Sequence, residues 1–163
     1  MKDLLSQLAA YNIWANKKLL EVILALPTEK QKQEIPSSFN SLYITVLHML
    51  SAESIWWQRM KLQERINSPM EIFKGSMQEL ASELLQQNRL WQEWVNNATE
   101  PMLEHVFQYY SNKRELFKQP INQMILHVFN HDTYHRGQLV NMLRQLGVEK
   151  IPQTDFIVWS RKK

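Results

Sequence analysis

Residues 120–147 read PINQMILHVFNHDTYHRGQLVNMLRQLG and carry the clearest helical pattern in the chain. Pro120 stands at the start of the pattern, where the first turn of a helix tolerates proline. Gly147 stands at its end, where a glycine commonly stops a helix. Between them apolar residues recur at steps of three and four, which is the period of one helical face. We therefore predict a long amphipathic helix over this stretch.

Three more long helices are predicted earlier in the chain. They cover about residues 3–26, 41–62 and 76–97, each with apolar side chains at helical spacing. With only three glycines in the whole chain, helix is favoured over strand throughout. The candidate N-caps of the second helix are Ser38, Asn40 and Ser41. The apolar stripe of the first helix is predicted at Leu4, Leu8, Tyr11, Ala15, Leu19, Val22 and Leu26.

The remaining segments are short and do not form a second unit. Residues 102–120, MLEHVFQYYSNKRELFKQP, alternate loosely around a turn-like SNKR and predict a short hairpin or an extended crossover. No repeat, linker or low-complexity stretch occurs, and 163 residues suit one domain spanning 1–163. The residues of the tail that we expect to pack back on the helices are Phe156, Ile157, Val158 and Trp159.

Composition excludes several classes of function. The chain has no cysteine, which excludes disulfides, thiolate ligands and cysteine nucleophiles. It shows no signal-peptide pattern and no apolar run near the ~20 residues that span a bilayer, so we expect a cytoplasmic protein without membrane contact. The formal net charge is +3, and the basic residues are scattered along the chain. The exception is a basic tail of Arg161, Lys162 and Lys163, which we interpret as a solvated end. We expect no nucleic-acid partner because no basic stripe or reading motif is present.

Three histidines in the last helix share one face. His127, His131 and His135 are spaced by four, and each step of four advances only about 40° beyond a full turn. They lie on the apolar side of the helix, and an i, i+4 histidine pair is a geometry that chelates a divalent cation. The outer two are about 12 Å apart along the axis, so one ion can bind either 127/131 or 131/135.

A fourth histidine supplies a third candidate ligand. His48 lies on a largely apolar face of the second helix together with Ile44 and Ile55. Two histidines from one helix and one from another make a three-ligand site that leaves positions for water or substrate. The competing interpretation is that these histidines are hydrogen-bonded core residues, which is also our expectation for His105.

Three segments of the chain resemble the DinB / YfiT-like superfamily of metalloenzymes. Residues 127–147 contain H-x-x-x-H-R-G-Q from His131 to Gln138, which closely resembles the family pattern for this helix. Residues 38–59, SFNSLYITVLHMLSAESIWWQR, resemble the family helix in which a histidine is followed by Ala-Glu and then Trp. Residues 11–20, YNIWANKKLL, are similar to the opening of the family's first helix.

The resemblance implies an all-α four-helix bundle with a long crossover and a metal at one end. It implies that His48, His131 and His135 bind one divalent transition metal ion, zinc or nickel being the metals most associated with the fold. His127 then becomes a neighbour one turn away. Relatives include S-transferases that use a low-molecular-weight thiol such as bacillithiol or mycothiol, and amidohydrolase-type enzymes. Many are homodimers, which we expect here as well.

Several polar residues near the ligands are candidates for contacts with the ligand side chains or with the pocket. Glu53 lies about 140° round the helix from His48, so we do not expect it to bind the same ion. Asp132 lies about 100° off the ligand face and either orients a neighbour or is solvated. His127 either contacts a ligand or faces the pocket, and Gly137 allows close approach of a helix. The candidates for the rim of the pocket are Tyr134, Arg136 and Gln138.

Three functions remain open on the sequence. The favoured one is a metal-dependent enzyme that activates a thiol or a water molecule, with S-transfer to a small electrophile preferred over hydrolysis. A three-histidine site suits this function because neutral ligands leave the ion its full charge, which lowers the pKa of a bound nucleophile. The alternatives are a non-catalytic metal-binding or sensing module and a bundle with merely buried histidines.

Overall fold

A computed structural model describes residues 1–111 and 113–161. In chain order its elements are α1 (Lys2–Leu24), α2 (Thr28–Lys32), α3 (Leu42–Met60), α4 (Pro69–Ile72), α5 (Met77–Asn97), α6 (Glu100–Glu104), β1 (Val106–Tyr110), β2 (Leu116–Pro120), α7 (Ile121–Gln145) and α8 (Phe156–Ser160). The four long helices are the four that the sequence predicts, so the all-α fold is confirmed.

Local side-chain chemistry explains where the long helices begin and end. Ser41 caps α3, its hydroxyl accepting a hydrogen bond from the backbone N–H of Ile44 at 3.2 Å. Ser76 and Glu79 form a reciprocal capping box at the start of α5. Pro120 lies one residue before α7, at the N-cap rather than in the first turn. Gly147 follows the end of α7 with a φ of 82°, a backbone conformation that favours glycine.

The long helices pack as a four-helix bundle. α1 packs on α5 and α7, and α3 packs on the same two helices, so that α1 and α3 lie at opposite corners. The apolar core divides into two clusters, one around Leu19, Leu80 and Leu143 and the other around Leu5 and Trp91. No helix in the described ranges has the length and hydropathy to cross a membrane.

The predicted stripe of α1 is confirmed at its centre and wrong at its N-terminal end. Three of its members are buried, namely Tyr11, Ala15 and Leu19. Leu4 is 51% exposed, and the neighbouring Leu5 is buried instead. The buried face also contains Asn12 and Asn16, which hydrogen-bond across the bundle interior to α7 and which a purely apolar count could not include.

The connection from α5 to α7 contains α6 and the predicted hairpin. β1 and β2 pair antiparallel, from Val106 opposite Pro120 to Tyr110 opposite Leu116. The hairpin lies beside α3, where the rings of Tyr109 and Trp56 meet edge to face with centroids 4.9 Å apart. Asn112, in the predicted SNKR turn, lies outside the described residues.

The tail returns to the bundle at α1. The Tyr11 hydroxyl donates a hydrogen bond to the backbone carbonyl of Thr154 at 2.7 Å. The rings of Phe156 and Trp159 contact the Tyr11 ring at centroid distances of 5.3 and 6.2 Å. The expected packing is therefore confirmed for these two residues, whereas Ile157 is exposed. Lys162 and Lys163, in the basic tail, lie outside the described residues.

Candidate metal centre

Three histidines from two helices converge between α3 and α7. The Nε2 atom of His131 lies 3.2 Å from Nε2 of His48 and 3.0 Å from Nε2 of His135. One potential ligand atom from each of the three lies within 4.8 Å of the others. The structure therefore brings together the three residues singled out in the sequence, in an arrangement that could hold a metal ion.

The donor set and its spacing fit a divalent cation. Nitrogen ligands at about 2.0–2.1 Å from a tetrahedral zinc lie about 3.3 Å from one another, close to both measured separations. A neutral imidazole Nε2 either donates or accepts, so a single proton on His131 can satisfy only one of its two Nε2 contacts. A cation would accept the lone pairs of all three rings at once.

The surroundings keep the three rings neutral. Burial, followed by the charges of His135 and His131, lowers the pKa of His48 to about 4. Burial, followed by the charge of His135, lowers the pKa of His131 to about 4. Burial also lowers the pKa of His135. Imidazoles that are neutral at pH 7 have free lone pairs, as metal binding requires.

Two contacts hold candidate ligand rings in place. Phe39, from the loop before α3, stacks on His48 with ring centroids 3.9 Å apart and meets His135 edge to face at 5.6 Å. Gln138 lies one turn after His135, and its Oε1 atom is 2.7 Å from His135 Nδ1. Histidine ligands commonly make such a contact through the ring nitrogen that faces away from the ion.

His127 lies outside this group of three. Its ring centroid is 5.9 Å from that of His131, and its side chain packs edge to face on Trp56 at 5.4 Å. The residue is exposed, one turn along α7 toward the hairpin. Of the two pairs left open by helix geometry, the structure combines 131/135 with His48. The prediction that His105 lies in the core is wrong, because this residue is exposed at the end of α6.

Asp132 and Arg136 lie in a buried polar network beside the three histidines. Asp132 is fully buried, so the solvated interpretation is wrong, and its Oδ2 accepts hydrogen bonds from Asn12 and Asn16 at 2.8 Å each. The Arg136 guanidinium donates to the side-chain oxygens of the same two asparagines and to Thr133 Oγ1. Arg136 is therefore not a pocket-rim residue. It faces α1 because the asparagine amides offer donors to the aspartate and acceptors to the arginine.

Glu53 closes the network from α3. The Asn88 amide donates a hydrogen bond to Glu53 Oε1, and Asn88 Oδ1 accepts one from Asn16. Burial, followed by the charge of Asp132 and a side-chain hydrogen bond with it, holds the pKa of Glu53 well above its usual range. Among the described residues, Glu53 Oε2 and Asp132 Oδ1 are both buried without a donor. A protonated Glu53 that donates to Asp132 gives both oxygens a partner.

Sequence reasoning missed four of these residues. Phe39 and Asn88 lie in segments where nothing distinguished them from ordinary loop and helix residues. Asn12 and Asn16 did carry a signal, since two asparagines at i, i+4 in a predicted amphipathic helix indicate a buried polar pair when they flank its apolar face. Tyr134, a rim candidate, is 61% exposed and its hydroxyl accepts a hydrogen bond from Gln138.

A cleft lies beside the C-terminal half of α3, and its lining includes none of the three histidines. It has a volume of about 590 Å³ between α3 and the hairpin, with Ile55, Arg59 and Tyr109 among its lining residues. Ile55 lies two turns from His48 on the same side of α3, about 10 Å along the axis. The Arg59 guanidinium stacks over the rings of Trp56 and Tyr109 at 4.8 and 5.5 Å. The cleft is large enough for a small molecule.

Comparison with known proteins gives one consistent result. The sequence profile of the DinB family matches residues 1–161. Protein DinB of Bacillus subtilis (strain 168) is 28% identical over 166 aligned positions, which cover 96% of this chain and 93% of that protein. A DinB-like protein from Bacillus cereus ATCC 10987 superposes with a TM-score of 0.66 at 18% identity over 85% of this chain and 89% of its own. A DinB-like protein from Bacillus subtilis gives 0.68 at 15% identity over 91% and 98%.

Proposed function

This chain belongs to the DinB family, and from that premise we propose that it is a metal-dependent enzyme that activates a small nucleophile, with a low-molecular-weight thiol preferred over water. This proposal rests on the convergence of three neutral imidazoles from α3 and α7, with one potential ligand atom of each within 4.8 Å of the others. Zinc and nickel are the ions we expect from the family resemblance, since the imidazole ligands by themselves also suit copper and iron.

His48, His131 and His135 would hold the ion. A bound divalent ion supplies Lewis acidity, which lowers the pKa of a coordinated thiol or water and produces a nucleophile near neutral pH. Three neutral ligands leave its charge undiminished, and three protein ligands leave room for a further group. Phe39 stacks on the His48 ring and excludes water from that side of the site. The Asp132–Arg136 network fixes the rotation of α7, and so the direction in which its two histidines point.

The cleft beside the hairpin supports a small-molecule substrate. Its lining includes Ile55, about two turns of α3 from His48, together with Arg59 and Tyr109, but none of the three histidines. A substrate bound in it would have to extend about 10 Å along α3 for its reactive end to reach the histidines. The preference for a thiol comes from the family resemblance rather than from the cleft. Hydrolysis by activated water is therefore tested as the alternative reaction.

The first experiment measures metal content by inductively coupled plasma mass spectrometry on untagged protein. We expect about one transition-metal ion per chain in the parent, and loss of the ion in His135→Ala. His127→Ala is the matched control, because this histidine shares the helix and the spacing but lies outside the group of three. Retention of metal by His135→Ala together with its loss from His127→Ala would contradict the ligand set.

The second experiment tests turnover with the metal-loaded protein. We expect metal-dependent consumption of a low-molecular-weight thiol in the presence of a model electrophile, and no consumption by His135→Ala. Metal-dependent hydrolysis of an amide or ester without thiol consumption would instead favour an enzyme that activates water. A stoichiometric, metal-stabilised protein that is inactive in both assays would indicate a non-catalytic metal-binding or sensing module.

A further inference from the structure

Gln138 contacts the candidate ligand His135 at the ring nitrogen that faces away from the other two histidines. Its Oε1 atom lies 2.7 Å from His135 Nδ1, the shortest of its three hydrogen-bond distances. Its Nε2 atom faces two hydroxyls, 3.2 Å from Tyr134 Oη and 3.4 Å from Ser38 Oγ. The amide therefore has its oxygen toward the histidine and its nitrogen toward the hydroxyls.

This orientation selects one form of the His135 ring. A carbonyl oxygen only accepts, so Nδ1 of His135 must carry the proton for the 2.7 Å contact to be a hydrogen bond. In a neutral imidazole the other nitrogen, Nε2, then has the lone pair. Nε2 is the atom that faces His131 at 3.0 Å, inside the group of three. The opposite tautomer would place an N–H where a metal ligand needs a lone pair.

We propose that Gln138 is a positioning residue that holds His135 in its Nδ1-protonated tautomer and thereby prepares Nε2 to bind the metal. This inference rests on the metal centre of the proposed function and assigns one further residue to it. Tyr134 and Ser38 act one step further out, because their hydroxyls accept hydrogen bonds from the Gln138 amide nitrogen.

The loss of the Gln138–His135 contact would have a different effect from the loss of a hydrogen bond that only stabilises the fold. Tyr134 is 61% exposed and Ser38 is also exposed, so the outer half of the contact lies in water and contributes little to folding. The inner half, the contact between Gln138 Oε1 and His135 Nδ1, determines which nitrogen of His135 carries a proton. Removal of the acceptor should therefore change the tautomer and the metal affinity much more than the stability of the metal-free bundle.

The experiment compares three variants with the parent. Gln138→Leu removes the acceptor at similar volume, Gln138→Glu retains an acceptor oxygen, and Gln145→Leu makes the same change at an exposed position on α7. Nitrogen-15 NMR of the histidine rings in metal-free protein reports the tautomer. Competition with a chromophoric chelator reports zinc affinity, and thermal unfolding of the metal-free protein reports the fold.

We expect His135 of the metal-free parent to be protonated at Nδ1, and a mixture of tautomers in Gln138→Leu. Zinc affinity should fall about tenfold to a hundredfold in Gln138→Leu, stay within about threefold of the parent in Gln138→Glu, and not change in Gln145→Leu. An Nε2-protonated His135 in the parent would overturn the proposal without any variant. So would an affinity loss in Gln138→Glu equal to that in Gln138→Leu.

The two readouts separate this inference from the proposed function. If the parent shows the Nδ1 tautomer and binds zinc but has no enzymatic activity, the positioning role stands and catalysis fails. If Gln138→Leu binds zinc as tightly as the parent, the positioning role fails while the metal centre stands.

Discussion

Two polar regions of α7 lie side by side and are organised in opposite ways. His131 and His135 face α3 with acceptor nitrogens converging on one point. Asp132 and Arg136, each one residue further along, face α1 and lie in a closed network in which asparagine amides supply donors to the carboxylate and acceptors to the guanidinium. The first region could hold a metal ion, whereas the polar groups of the second region bind one another.

One helix can therefore carry both a candidate binding site and the network that supports it. Each step of one residue turns the side chain by about 100°, so the two pairs point to different neighbours. A satisfied buried network rigidifies the helices that contribute to it, here α1, α3, α5 and α7. That rigidity fixes the face of α7 on which His131 and His135 lie. Four substitutions test the separate roles of the two regions.

The largest effect is expected from Arg136→Met, which breaks the closed network. The change removes the buried cation and leaves the side-chain oxygens of Asn12 and Asn16 without the guanidinium that donates to them. We expect a loss of about 3–5 kcal/mol in the free energy of unfolding, measured by urea denaturation of metal-free protein. Arg144→Met, the same change at an exposed position of α7, should stay within about 0.5 kcal/mol. Equal losses in the two variants would refute the network's role.

The next effect concerns the open region, where metal should stabilise the parent. Free zinc at about one hundred times its dissociation constant should add about 2.7 kcal/mol to the free energy of unfolding. His135→Ala should lose this gain, while His127→Ala should keep it. A thermal shift series with and without zinc checks both variants. Zinc stabilisation of His135→Ala equal to that of the parent would show that the ion binds elsewhere.

Glu53→Gln tests the closed network through the pH dependence of the free energy of unfolding. Because the folded-state pKa of Glu53 is raised above 4.5, folding takes up a proton. The stability from this group is full below pH 4.5 and falls as pH rises toward the folded pKa. Glutamine donates to Asp132 without titrating, so the variant should gain stability relative to the parent as the pH rises above 4.5, by at most about 1.4 kcal/mol per pH unit. Parallel stability curves would indicate that Glu53 is ionised in the fold.

The smallest effect is expected from Phe39→Leu at the edge of the open region. Loss of the ring stacked on His48 should weaken zinc binding by about threefold to tenfold, since an aromatic contact contributes about 0.5–1.5 kcal/mol. Phe117→Leu, at an exposed position of β2, is the matched control. Chelator competition measures both variants. Unchanged affinity in Phe39→Leu would mean that the His48 ring is oriented by the α3 backbone alone.

Much of the architecture could be predicted from the chain itself because it depends on local rules. The helical period indicated the four long helices, and Ser41 and Pro120 indicated where two of them begin. The spacing of four placed histidines on one face of α7, and the family motifs indicated the DinB fold that the comparisons support.

Only the tertiary structure decided what each face meets. Periodicity defines the sides of an isolated helix but not its rotation about its own axis. That rotation depends on partners distant in sequence, such as Asn12 and Asn16 for α7. For this reason Asp132 and Arg136 are buried rather than solvated or at a rim, His127 is exposed, and Gln138 meets His135 Nδ1. The sequence determined the elements and the candidate ligands, whereas the packing of four helices against one another determined which polar groups were joined.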